Sequence, residues 1–82
     1  MINVKNEKVI KAFGVRLREV RLSLEISQEE LANNADIPIS QVGRIERGET
    51  NPTISTIHVL AIALKTTMAE LLNIEIEKIR KK

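Results

Sequence analysis

Four hydrogen-bonding side chains follow Pro38 within a short segment: Ser40, Gln41, Arg44 and Arg47. At helical spacing, Ser40, Arg44 and Arg47 lie on one face. Hydroxyl and guanidinium groups in this arrangement suit contact with a polar or negatively charged partner, since Arg is always charged in proteins. The spacing therefore marks this segment as the first candidate for a binding surface.

Other kinds of chemistry find little support in the chain. It contains no cysteine, which excludes disulfides and thiolate metal sites. His58 is the only histidine, and its place off the predicted core stripe of its helix favours a surface residue over a metal ligand or a catalytic base. No paired carboxylates, Ser-His-Asp arrangement or phosphate-binding loop is found. We therefore predict no enzyme activity, no metal and no cofactor.

Length and composition predict one small helical domain. The chain has 82 residues, of which 43% are hydrophobic, and Phe13 is the only aromatic residue. A core of Leu, Ile, Val and Ala suits helices packed on helices. The net charge of +2 permits a nucleic-acid partner without requiring one. We expect a cytoplasmic protein, because neither a signal peptide nor a membrane span is found.

The first three helices are predicted from periodicity and end signals. Residues about 6 to 24 carry one apolar stripe, formed by Ile10, Phe13, Leu17, Val20 and Leu24. Ser27 and Glu30 form a capping box that predicts the start of a second helix, which ends at about residues 33 to 35. Pro38 predicts a break before a third helix, which runs to about Arg47 and stops at Gly48.

The rest of the chain predicts two further helices and a tail. Thr53 or Ser55 caps the fourth helix, which runs to about Leu64 and whose core stripe is Ile54, Ile57, Leu60, Ala61 and Leu64. Thr67 and Glu70 form a second capping box at the start of the fifth helix. Residues 73–82 fit either a strand or a helix. We divide the chain into a lead-in at residues 1–12, a domain at 13–72 and this tail.

Two short helices joined by a fixed corner, within a five-helix unit, form a helix-turn-helix at about residues 27–47. At the residue level the chain resembles the XRE group of bacterial regulators, together with Cro proteins and phage repressors. The resemblance runs from about Phe13 to Leu72. It is carried by "LREVR", "SQEELA", "IERGETNPTISTI" and "LAIALKTTMAELL", in the family's order and spacing. It implies an all-α fold, a compact five-helix lambda-repressor-like domain that binds specific double-stranded DNA as a transcriptional regulator.

The resemblance also implies roles for individual residues. A recognition helix at about residues 39–47 would lie in the major groove, which is wide enough for an α-helix. The residues implied to contact DNA are Gln28, Ile39, Ser40, Gln41, Arg44 and Arg47, together with the loop at 49–51. Gln28 would bond a phosphate and brace the first recognition residue, and Arg47 would also touch phosphate. Arg21 and Glu46 would form a structural ion pair.

Several positions depart from the family pattern. Ile39 stands where the first recognition residue is usually polar, and it can contact a thymine methyl group but cannot form a bidentate bond. Gly43 lies within the helix at a cost of about 1 kcal/mol relative to Ala. Glu25 stands where the family often has Gly or Asn, which predicts backbone strain. Glu49 puts a negative charge in a loop that commonly faces phosphate.

The assembly state is a further expectation. Val59 and Ile62 lie outside the core stripe of the fourth helix, so they either meet a second copy or pack under the C-terminal tail. We predict a homodimer on an inverted-repeat operator, with an interface formed by Val59, Ile62, Leu71, Ile74 and Ile76. Because one domain fills the chain, control would come through concentration, dimerisation or a partner protein. The alternative function is a protein-interaction module of the same fold, either an antitoxin or a coactivator.

Overall fold

Most helices of this protein begin at a side-chain cap. In a computed structural model, of which residues 5–76 are described here, the chain forms α1 (Glu7–Ser23), α2 (Gln28–Ala35), α3 (Ile39–Glu46), α4 (Ile54–Ala63) and α5 (Met68–Leu71), and this part contains no strand. Four helices are capped by a side-chain oxygen that accepts from the N–H three residues later; these caps are Asn6, Ser27, Thr53 and Thr67. Pro38 precedes α3 with φ −65° and provides no side-chain cap. The predicted all-α, five-helix fold is confirmed.

The first four helices all end in the same tight turn. In the turn that follows each helix, a single residue adopts the left-handed conformation: Glu25 (φ 59°), Asp36 (φ 58°), Gly48 (φ 75°) and Lys65 (φ 56°). After α4, Thr66 N–H donates to the Ala61 carbonyl at 2.9 Å and Lys65 N–H to the Ile62 carbonyl at 3.0 Å, and equivalent pairs close α1, α2 and α3. These Schellman motifs fix the direction in which the chain leaves each helix.

Three of these turns use a residue other than glycine. The left-handed conformation costs an ordinary L-residue about 1–2 kcal/mol, so the strain expected at Glu25 is present and recurs at Lys65. The prediction that α2 ends at about residues 33 to 35 is confirmed. The helix continues through Ala35, and Asp36 makes the left-handed turn.

The core lies where all five helices meet. Its fully buried large side chains are Leu17, Leu31, Val42, Ile45, Leu60 and Leu71. Two predicted core residues are wrong: Leu24 is 47% exposed and Ile54 is 67% exposed. Both lie at helix ends, where the chain turns and the helical stripe no longer faces the neighbouring helix. Ile37 packs against the core from the corner between α2 and α3.

The backbones of α1 and α3 approach each other closely at Gly14 in α1. A Cβ atom there would overlap the carbonyl oxygens of Ile45 and Glu46, at the end of α3. A larger residue would therefore push α1 away from α3. Beyond α5, residues 73–76 are irregular, and Ile74 packs against the core. The rest of the ambiguous tail, residues 77–82, lies outside the described residues.

A buried ion pair ties α1 to α3. Arg21 Nε donates to Glu46 Oε2 at 2.6 Å and Nη2 donates to Oε1 at 3.1 Å, so the guanidinium and carboxylate are paired through two parallel bonds. The two side chains are only 8% and 2% exposed. The third guanidinium nitrogen, Nη1, donates to the Ile26 carbonyl at 2.9 Å, which adds the corner before α2. The structure thus forms the ion pair that the resemblance implied.

Lys65→Gly is expected to raise the free energy of unfolding by about 0.5–1 kcal/mol. Glycine relieves the left-handed strain, and its greater freedom in the unfolded chain offsets part of the gain. Lys65→Ala is the matched control, because it removes the same charge and keeps the strain. Urea unfolding midpoints compare the three proteins. Equal midpoints for Gly and Ala would show that the turn carries no strain.

Glu46→Ala is expected to lower the free energy of unfolding by about 3–5 kcal/mol, because Arg21 would remain buried without its counter-charge. Glu49→Ala removes the same charge from an exposed position and should change stability far less. Urea unfolding followed by circular dichroism makes the comparison. If Glu46→Ala is unfolded in buffer, Glu46→Gln gives a milder change to measure. Equal shifts at positions 46 and 49 would contradict the structural role of the pair.

Candidate nucleic-acid interface

The exposed face of α3 carries most of the residues that the sequence singled out. Ile39 is 50% exposed, and Ser40, Arg44 and Arg47 are exposed as well, whereas Gln41 is half-buried. The residues on the opposite side of α3, Val42 and Ile45, are fully buried. The helix therefore presents one largely polar face to solvent, and its buried side chains prevent it from rotating about its own axis.

Two neighbouring helices position this face. α3 packs against both α1 and α2. An isolated helix of eight residues is unstable in water, so α3 depends on this packing. Its N-terminal end is set by the corner at Asp36, and its C-terminal end by the bond between Arg21 and Glu46. The first recognition positions and the last are thus fixed at opposite ends of the same helix.

Gln28 takes part in the same buried network. Its Nε2 donates to Glu46 Oε1 at 2.9 Å, so the buried carboxylate accepts two bonds from Arg21 and one from Gln28. Among the described residues, no buried side-chain nitrogen or oxygen lacks a partner. Gln28 therefore braces α2 against the end of α3, rather than bracing the first recognition residue. Its contact with a phosphate stays a prediction.

Arg47 is paired as well, on the surface. Its Nε donates to Glu49 Oε2 at 2.8 Å and its Nη2 lies 3.3 Å from Oε1. The hydrogen bonds from Arg47 lower the pKa of Glu49; desolvation opposes this, and the charges of Arg47 and Arg44 add to it. Bonding to Glu49 likewise raises the pKa of Arg47. The sequence signal for this pair was two opposite charges on either side of a turn glycine.

Gly43 also contributes to this surface. A Cβ atom at Gly43 would lie 2.9 Å from Arg47 Nη1 and 3.8 Å from Gln28 Oε1. The missing side chain thus leaves a place for the Arg47 guanidinium, next to the start of α2. The nearest side-chain atom that such a Cβ would meet thus belongs to the flexible Arg47, which caps the C-terminal end of α3.

The five residues predicted to form a dimer interface differ in their exposure. Leu71 is 0% exposed and fills the core of its own protomer, so its assignment to a dimer interface is wrong. Val59 and Ile74 are partly buried against the same core. Ile76 is half-buried, and Ile62 is 60% exposed. Of the five, only Ile62 offers most of its surface to a partner.

Between residues 5 and 76, no three His, Asp or Glu side chains are grouped closely enough to hold a metal ion. No helix in this part of the chain is long and apolar enough to cross a membrane. His58 lies on the exposed surface of α4.

Comparison with known proteins places this geometry in a family. The helix-turn-helix family HTH_3 matches residues 17–71. The control protein C.SmaI of Serratia marcescens is 39% identical over 56 residues, which span 68% of this chain and 67% of that protein. The crystal structure of the restriction-modification controller protein C.AhdI from Aeromonas hydrophila has a TM-score of 0.74 and 41% identity, and the match covers 80% of this chain and 98% of that one.

A third relative shows the fold in a complex. The controller protein C.Esp1396I, solved as a tetramer with its natural 35 base-pair operator, has a TM-score of 0.73 and 22% identity, and the match covers 78% of this chain and 88% of that one. At this identity the likeness shows the shared fold alone. The family match spans more than half of the chain, and it includes the corner, both helices around it and the buried pair. This chain belongs to the HTH_3 helix-turn-helix family, as its XRE-type sequence pattern predicted.

Proposed function

We propose that this chain is a sequence-specific DNA-binding transcriptional regulator that acts as a homodimer, with α3 in the major groove. The observation that carries the proposal is the exposed polar face of α3, held rigidly by the buried network behind it. The activity is binding without catalysis, and its place of action is the bacterial cytoplasm. The relatives support this reading, since two are named as control or controller proteins and a third was solved on its operator.

The exposed side chains fit distinct tasks on DNA. Arg44 is able to form a bidentate bond with guanine, and the hydroxyl of Ser40 bonds several base edges. Ile39 offers an apolar contact for a thymine methyl group, which its exposure permits. Gln41 is half-buried, so we assign it a smaller share of the base contacts. Gln28 and Arg47 lie at the flanks of this surface, where phosphates pass.

A second copy would double this small contact surface. One recognition helix reads too few base pairs to mark a site in a genome. The exposed side of α4 presents Ile54 and Ile62 with His58 between them, at spacings of four residues along one face. We propose this row as the centre of the dimer interface, in place of Leu71. Two recognition helices about 34 Å apart would then match an inverted repeat.

Selection of bound sequences from random double-stranded DNA tests the proposed function directly. A regulator should enrich an inverted repeat and bind it at least about a thousandfold more tightly than random DNA at fixed salt. A protein-interaction module of the same fold would enrich no common sequence. That outcome would refute specific DNA binding as the function.

Arg44→Ala is expected to remain folded and to weaken binding to the selected sequence by about 1–3 kcal/mol, because a base contact is lost. Lys65→Ala removes the same charge from the corner between α4 and α5 and serves as the control. Titration at one salt concentration compares the two variants. If the two variants lose the same small amount of affinity for the selected sequence, Arg44 is not part of the site.

Ile62→Glu is expected to weaken the dimer by about tenfold or more, which corresponds to about 1.4 kcal/mol. The carboxylate would be buried in the interface without a partner, whereas it is freely hydrated in the monomer. Leu22→Glu changes a similarly exposed apolar residue of α1 and is the control. Analytical ultracentrifugation at several concentrations gives both affinities. An unchanged dimer in the Ile62 variant would place the interface elsewhere.

A further inference from the structure

The guanidinium of Arg47 lies between the carboxylate of Glu49 and the backbone of Gly43. One edge is bonded to the carboxylate of Glu49, with Nε at 2.8 Å and Nη2 at 3.3 Å from its oxygens. The remaining nitrogen, Nη1, lies over Gly43, where any Cβ atom would be within 2.9 Å of it. Arg47 is therefore folded back along α3 instead of extending from its end.

The carboxylate that holds Arg47 is itself placed by the backbone. Glu49 N–H donates to the Arg44 carbonyl at 2.8 Å as part of the turn that ends α3. Gly48 makes this turn in the left-handed conformation, with φ 75°. The charges of both Arg44 and Arg47 act on the Glu49 carboxylate. A negative group is thus fixed beside the two cations of the recognition helix.

We propose that Glu49 competes with the DNA backbone for Arg47 and so limits the sequence-independent affinity of the protein. The inference rests on the proposed DNA binding. A carboxylate and a phosphate offer the same pair of acceptor oxygens to a guanidinium, so DNA of any sequence must displace Glu49 before a phosphate can bond the Nε–Nη2 edge of Arg47. Sequence-independent binding arises from such phosphate contacts, and the loss of one contact lowers it directly.

The expected effect is moderate. Both partners are exposed, with 59% and 53% of their side chains accessible, and exposed ion pairs are weak. Glu49→Gln keeps the size of the side chain and removes its charge. We expect it to tighten binding to random-sequence DNA by about three- to tenfold. The slope of log affinity against log salt should steepen by about one, since one further phosphate is neutralised.

Four proteins form the test: the unmodified chain, Glu49→Gln, Arg47→Gln and the double variant. Each is titrated against a fluorescently labelled duplex of random sequence over a series of salt concentrations. Glu19→Gln is the matched control, because Glu19 is also exposed and pairs with an arginine of its own helix, Arg16, at 3.7 Å, and its loss changes the net charge equally. Circular dichroism checks that every variant is folded.

We expect the affinity for random-sequence DNA to rise more in Glu49→Gln than in Glu19→Gln. The rise caused by Glu49→Gln should disappear when Arg47 is already replaced. Equal gains for the two Gln variants would overturn the proposal, since net charge alone would explain them. A gain at position 49 that persists without Arg47 would also overturn it, because Glu49 would then repel DNA independently. If the folded, unmodified chain binds no duplex at the lowest salt, the proposed DNA binding fails, and this inference fails with it.

Discussion

The buried pair of Arg21 and Glu46 is the constraint on which the geometry of this protein depends. A charge removed from water must be matched closely by its partner, since an unmatched one costs several kcal/mol. The guanidinium reaches α3 through Glu46 and the corner before α2 through the Ile26 carbonyl. The carboxylate in turn accepts from Gln28 in α2. One ion pair thereby fixes three helices relative to one another.

The binding face inherits its rigidity from this network. α3 has only eight residues and depends on tertiary packing, and it has no side-chain cap at Pro38. It is held at its start by the backbone turn at Asp36, along its length by Val42 and Ile45, and at its end by Glu46. Such support keeps the exposed residues in fixed positions, which recognition of base edges requires.

The exposed face of α3 is less positive than its two arginines alone would make it. Arg47 adds a positive charge at the C-terminal end of α3, and Glu49 offsets this charge through a direct ion pair. The net charge of the whole chain is only +2. Under the proposed function, base contacts and assembly supply the specificity, which general attraction to phosphate does not provide. The row of Ile54, His58 and Ile62 on α4 is the surface that we propose for such an assembly.

The sequence by itself determined the local structure and the family. Ser27, Thr53 and Thr67 act on groups within three residues, so their caps follow from local geometry, and the apolar period gives each helix its inner face. The period does not say where a face stops being covered, and for this reason Leu24 and Ile54 were misplaced at helix ends. Leu71 was assigned to a partner, although the space among the other helices encloses it completely. Only the tertiary structure decided that Gln28 joins Glu46 and that Glu49 holds Arg47. Each of these side chains is long enough to reach several polar or charged partners, and the sequence alone does not choose among them.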